Sequence, residues 1–93
     1  MSQQHLAGLD RTDDILEIGP GMGALTIPMA GAVNSIIAVE KDTRLVNHLL
    51  EKLEEMHIGN VTIINNDILK ENMGHAYLFS DKADHLHIAF TSI

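Results

Sequence analysis

The 93-residue sequence has no cysteine. That removes a disulfide framework and a thiolate metal site, and it fits a reducing compartment. No apolar run approaches the roughly 20 residues a membrane span requires, so a soluble chain is expected. Basic residues are scarce: six Lys and Arg, scattered along the sequence, against 13 Asp and Glu give a formal net charge of −7. Gripping nucleic acid by its phosphates depends on clustered positive charge, so any polynucleotide contact is expected to need a basic surface on a further domain or partner. Met1 to Leu9 carry neither a basic segment followed by an apolar core nor an Arg-rich amphipathic pattern. No targeting signal is read there, and a cytoplasmic location is expected. Internal repeats and low-complexity tracts are also missing. What is present, 45% hydrophobic and 20% charged residues, is ordinary for one small globular domain, which buries a smaller share of its surface than a full-sized enzyme.

The organising stretch runs from Asp14 to Thr26: a short apolar run, glycines at positions 19, 21 and 23, then apolar residues of helical character. It reads as strand, tight turn, helix. A residue without a Cβ takes positive φ and lets backbone N–H groups approach a ligand closely. Open α/β sheets place nucleotide-like ligands at such a turn. A strand-to-helix turn without a ligand is the plain alternative, but it needs one glycine, and each further glycine weakens it.

Taken in order, residues 1–13 read as a frayed lead-in, 14–70 as a motif-bearing core and 71–93 as a tail. Asp14 to Ile18 is a first strand, apolar except for Glu17, as suits a strand covered on both faces. A helix follows from Ala24 or Leu25 to about Ala32, because Pro28 is tolerable only in a first turn. Ile36 to Val39 is a second strand ending on Glu40. Asp42 or Thr43 caps a helix from Arg44 to about His57, with Leu45, Val46, Leu49, Leu50, Leu53 and Met56 on one face. Gly59 and Asn60 are expected to stop it. Val61 to Ile64 is a third strand, leading into Asn65, Asn66 and Asp67. Ile68 to Lys70 reads as a turn and Asn72 to Phe79 as a short helix. Ala83 to Phe90 reads as a fourth strand, with Leu86, Ile88 and Phe90 alternating against His85 and His87. This order predicts an α/β fold: a partial doubly wound, Rossmann-like parallel sheet of about four strands with flanking helices and right-handed crossovers. Such a half sheet has an open edge, which predicts a dimer, a truncated chain or a fragment of a longer protein.

Three acids fall where strands end: Glu17, Glu40 and Asp67. Parallel strands bring those ends together. Glu40 can accept from both hydroxyls of a ribose, and Asp67 from an adenine amino group. Two ligand classes compete. Gly19, Gly21 and Ala24 satisfy the loose dinucleotide pattern, which permits a nicotinamide- or flavin-dependent oxidoreductase. Glu17, close to the turn, would repel a pyrophosphate and attract an ammonium or a sulfonium. S-adenosylmethionine carries both cations, a ribose and an adenine, and no phosphate.

Glu17-Ile-Gly-Pro-Gly-Met-Gly-Ala-Leu-Thr26, Val39-Glu-Lys-Asp42 and Asn66-Asp-Ile-Leu69 resemble the first three motifs of the ribosomal RNA adenine N6-dimethyltransferases, over roughly Ala7 to Lys70. The resemblance implies a Rossmann-like methyltransferase core that uses S-adenosylmethionine to methylate adenine N6 of small-subunit rRNA, with rRNA as partner. It implies that Gly19 and Gly21 line the methionine end of the cofactor, with Glu17 near its amino group. It places Glu40 on the ribose, Lys41 beside the adenine, Asp67 on the adenine amino group and Ile68 against the ring. The family also has a Gln-Asn-Phe-Leu segment ahead of the glycine turn, and after the fourth strand an Asn-Leu-Pro-Tyr or Asn-Leu-Pro-Phe segment that presents the target amine. The nearest stretch here is His87-Ile-Ala-Phe90, in which Phe90 keeps the aromatic that stacks on the acceptor. Weak or absent activity is therefore expected of this chain by itself, since methyl transfer depends chiefly on positioning donor and acceptor. A cofactor-binding or interaction module that has lost its acceptor site is the non-enzyme rival.

Other groups carry less. His85 and His87 share a strand face, yet lack a third metal ligand, so no metal is expected. His48 reads as surface, and Met22, Met29, Met56 and Met73 as apolar filler. Thr91 and Ser92 have no base at recognisable spacing. Glu51, Glu54 and Glu55 read as a solvated helix face.

Overall fold

A computed structural model describes residues 8–67 and 86–90. In chain order the elements are β1 (Asp14–Ile18), α1 (Thr26–Ala30), β2 (Ser35–Glu40), α2 (Thr43–Glu55), β3 (Val61–Asn65) and β4 (Leu86–Phe90). The strands form one sheet in the order β3-β2-β1-β4, and every pairing is parallel. Ile18 lies beside both Val39 and Phe90, and Glu40 lies beside Asn65, so all four carboxyl ends meet at one edge.

The two faces of the sheet are both apolar, which is why β1 and β2 read as near-continuous hydrophobic runs. On one face Ile15, Ile36 and Ala38 pack with Met29, Ala30 and Val33, and Leu9, Leu25, Ile58, Val61 and Ile63 close the rim. On the other, Leu16, Ile18 and Val39 form a second cluster. Glu17 shares the parity of Ile15 and is wholly buried.

Helix α1 is shorter than its sequence suggests. Its first backbone bond runs from the Ile27 N–H to the Gly23 carbonyl at 3.0 Å, which keeps Pro28 inside the first turn. It ends at Ala30 rather than near Ala32, where Asn60 takes its last carbonyl and two more in the loop beyond it. The Asn60 amide donates to the Ala30 oxygen at 2.9 Å and to the Val33 and Asn34 oxygens at 3.3 Å. Asn60 thus closes α1, not the helix that precedes it in sequence.

Helix α2 is capped by Asp42, whose carboxylate accepts from the Arg44 N–H at 2.9 Å. Its inward stripe is Val46, Leu49 and Leu53, narrower than predicted: Leu50 and Met56 are about half exposed. Met22 is also exposed, so of the described methionines only Met29 fills the core. The helix ends on a left-handed residue, and that residue is His57 (φ 56°), not Gly59. Around it the His57 N–H donates to the Glu54 carbonyl at 3.1 Å and the Ile58 N–H to the Leu53 carbonyl at 2.9 Å, a Schellman closure with Ile58 folded onto the core. A Cβ in this conformation costs about 1 kcal/mol, so His57→Gly is expected to raise stability by about 0.5–1 kcal/mol in a urea melt, with no change in fold.

Residues 8–13 are not frayed. The Asp10 N–H donates to Asp13 Oδ2 at 2.8 Å, the Thr12 N–H to Asp10 Oδ1 at 2.8 Å, and the Asp13 N–H to the Asp10 carbonyl at 3.0 Å. This closed turn leaves Asp13 buried, 3.3 Å from His87 Nε2 on β4. The alternation predicted for the fourth strand does not bury Ile88, which is 45% exposed on the face that carries Leu16 and Val39, where Ile64 of the opposite outer strand is exposed too. The turn and helix predicted within 68–82, residues 83–85 and residues 91–93 lie outside the described residues.

Candidate functional site at the carboxyl edge of the sheet

The site is built where β1 gives way to its turn. Gly19, Gly21 and Gly23 all adopt left-handed φ, at 73°, 58° and 88°, which the other residue types rarely sustain. Their N–H groups are spent within the chain. Gly19 donates to the Val39 carbonyl at 2.9 Å, Gly21 to Glu40 Oε1 at 3.0 Å, and Gly23 to the Pro20 carbonyl at 2.9 Å. A phosphate-binding turn aims such donors at its ligand. Here Gly19 and Gly21 brace the turn against β2, Gly21 by donating to a carboxylate, and Gly23 closes the turn on itself.

Gly23 has a further task. A Cβ on it would stand 2.6 Å from Leu49 Cδ1, so its bareness lets α2 pack against the turn. Gly23→Ala is expected to cost about 2 kcal/mol in a thermal or urea melt, from strain at positive φ and displacement of Leu49.

Glu40, the last residue of β2, is 5% exposed. Its carboxylate bridges two loops: Oε1 accepts from Gly21, and Oε2 accepts from the Asp42 N–H at 3.0 Å. Each carboxylate oxygen has two lone-pair sites, so each keeps one for a further donor. Glu17, fully buried, accepts from the Thr26 hydroxyl at 2.6 Å and so ties β1 to the first residue of α1. Lys41 is exposed. Asp67 is half-buried two residues beyond β3, where its N–H donates to Asn66 Oδ1 at 2.8 Å. Phe90 ends β4 beside Ile18. The backbone therefore gathers Gly19, Gly21, Glu40, Lys41, Asp67 and the end of β4 at one edge, with Glu17 beneath the turn. Ile68 and the Phe90 side chain lie outside the described residues.

Sequence reading missed two supports. Thr26 sits inside the glycine motif, but nothing in a linear pattern says that its hydroxyl meets Glu17. Asn65 and Thr43, joined at 3.0 Å, hold the chain around Glu40. Among the described residues no group of three His, Asp or Glu could hold a metal, and His87 is engaged with Asp13. Among the same residues no helix is long and apolar enough to cross a membrane.

The parallel order β3-β2-β1-β4, with a glycine turn after the central strand and an acid closing its neighbour, defines half of a doubly wound, Rossmann-like fold. Solved structures agree on that fold. Protein-L-isoaspartate O-methyltransferase superposes with a TM-score of 0.71 at 21% identity, over 95% of this chain and 26% of that one. A dimethyladenosine transferase from Plasmodium falciparum superposes with a TM-score of 0.61 at 22% identity, over 67% of this chain and 23% of that one. The family model described as "Ribosomal RNA adenine dimethylase" matches residues 4–92, and the chain belongs to that family. Among curated relatives, the Ribosomal RNA small subunit methyltransferase A of Desulforapulum autotrophicum is 54% identical over 67 residues, 72% of this chain and 24% of the relative. The chain thus spans about a quarter of the length of the curated relatives it matches. These comparisons do not support the oxidoreductase alternative.

Proposed function

We propose that this chain is the S-adenosylmethionine-binding part of an enzyme that methylates adenine N6 in small-subunit ribosomal RNA. The observation that carries the reading is the Glu40 carboxylate, fixed by one N–H from the glycine turn and one from the β2–α2 loop. Each of its oxygens retains an acceptor site, which suits the vicinal hydroxyls of a ribose. Family membership and the internally satisfied glycine donors favour an adenosine that carries positive charge over one that carries phosphates.

In this reading Glu40 takes the ribose, the backbone of Gly19 and Gly21 lines the methionine end, and buried Glu17 supplies the negative potential that draws its ammonium. Lys41 lies beside the adenine, Asp67 accepts from the adenine amino group, Ile68 packs on the ring, and Phe90 stacks on the target base. The cofactor supplies an electrophilic methyl group. The chain's own contribution is to bind and orient, since transfer to an amine is an in-line displacement governed by placement. With a net charge of −7, contact with rRNA phosphates falls to basic surface outside this chain.

Isothermal titration with S-adenosylmethionine, S-adenosylhomocysteine and NAD tests the ligand: binding of the first two and not the third is expected, and the reverse overturns the reading. Methylation of small-subunit rRNA, assayed with the chain alone and with the chain joined to the remaining part of a curated relative, separates an enzyme from a binding module.

A further inference from the structure

The Glu40 carboxylate is only as well placed as the backbone that carries it, and one side chain outside the assigned site holds that backbone. Asn65, the last residue of β3, donates from Nδ2 to the Glu40 carbonyl at 3.0 Å and, at a longer 3.4 Å, to the Lys41 carbonyl. Its Oδ1 accepts from the Thr43 hydroxyl at 3.0 Å. Those contacts fix which way the amide faces, because two carbonyls on one side demand the NH2 group and a hydroxyl donor on the other demands the oxygen. The Glu40 carbonyl receives a second bond from the Asn66 N–H at 3.0 Å. Asn66 in turn caps the N–H of Asp67. The ends of β2 and β3, with the two acids they carry, are thereby joined into one piece at the point where the ladder pairs Glu40 with Asn65.

We infer that Asn65 is a positioning residue for the adenosine half of the cofactor: it sets the height and tilt of Glu40 and Lys41 without touching ligand. The inference rests on the ribose role proposed for Glu40. Asn65 is exposed, and its bonds join the last residue of β2 and the loop that follows it, at the mouth of the site and away from the apolar clusters. Its loss therefore acts on binding more than on folding. An aspartate at this position would keep the Thr43 contact and set an acceptor against two carbonyls, so it disturbs the loop more than an alanine does.

The test compares the parent chain with Asn65→Ala, Asn65→Asp and Thr43→Val by calorimetry with S-adenosylhomocysteine, thermal unfolding, and amide hydrogen exchange followed by NMR. Affinity is expected to fall about 5-fold in Asn65→Ala, about 10-fold or more in Asn65→Asp and about 2-fold in Thr43→Val, in that rank, with unfolding midpoints that do not follow the same rank. The amides of Asp42 and Asn66, both of which donate to Glu40, are expected to exchange several-fold faster in the Asn65 variants. Those of Ile36 to Val39 are expected to keep their protection. Affinities that track the midpoints, or that stay at the parent value, overturn the positioning role. A parent chain that binds no S-adenosylhomocysteine sinks the ribose reading instead, and the exchange rates at Asp42 and Asn66 then decide by themselves whether Asn65 holds the loop.

Discussion

Glu40→Ala is expected to weaken S-adenosylmethionine binding about 100-fold, close to 2.7 kcal/mol, while the chain still folds. The size follows from what the carboxylate does in this reading. It offers one acceptor site on each oxygen to a ribose hydroxyl, and two hydrogen bonds to a charged group at the lower end of their range contribute about 3 kcal/mol together. Its removal also leaves the Gly21 and Asp42 N–H groups, now 3.0 Å from the carboxylate, without that partner, so the turn loses its brace as well. A fall of about 1–2 kcal/mol in unfolding free energy is expected alongside, from those two donors at the edge of the core. Calorimetry against the parent chain gives the affinity, and a urea melt gives the stability. An Ala variant that binds like the parent removes Glu40 from the site.

Glu17→Gln separates charge from packing. The amide keeps an oxygen for the Thr26 hydroxyl that now meets Glu17 at 2.6 Å, so the junction between β1 and α1 is retained. Stability is expected to stay within about 1 kcal/mol of the parent, since an amide of nearly the same shape replaces a wholly buried carboxyl group. Affinity is expected to fall about 10-fold, because the negative potential proposed to draw the ligand's cation is removed. The ligand series reports which cation is drawn. Equal losses for S-adenosylmethionine and S-adenosylhomocysteine, which share the ammonium, place Glu17 on the amino group; a loss confined to the former places it on the sulfonium. Unchanged affinity for both dismisses Glu17 as an electrostatic element. Thr26→Val supplies the complement: it leaves the carboxylate in place with one donor fewer and is expected to cost about 1.5–3 kcal/mol of stability.

The parts of the fold legible in sequence were those written in short-range pattern. β1 needed only its apolar run, and the start of α2 only the capping chemistry of Asp42, so their positions followed from neighbours along the chain. Helix ends were legible only in part, because packing onto the rest of the chain fixes them, and in one case the partner lies far away in sequence. Asn60 truncates α1 from 30 residues downstream. The closure of α2 falls on His57, where the bond between Ile58 and Leu53 and the burial of Ile58 outweigh the preference for glycine. The fourth strand misled for a related reason: alternation in β4 predicts an inward Ile88, yet only half its surface finds cover, and what packs on that face of the sheet is not written in the strand's own pattern.

The candidate site divides along the same line. Sequence by itself determined the chemistry on offer: bare-backbone turns at Gly19, Gly21 and Gly23, acids at Glu17, Glu40 and Asp67, and a surplus of negative charge, because residue type and spacing state these directly. Only the tertiary structure decided how those groups are used. Parallel pairing set Glu40 against Gly21 across 19 positions of sequence and Asn65 against the Glu40 carbonyl across 25. Which N–H meets which oxygen depends on strand register and loop path, and those are fixed by the packing of the whole sheet rather than by any local run of residues.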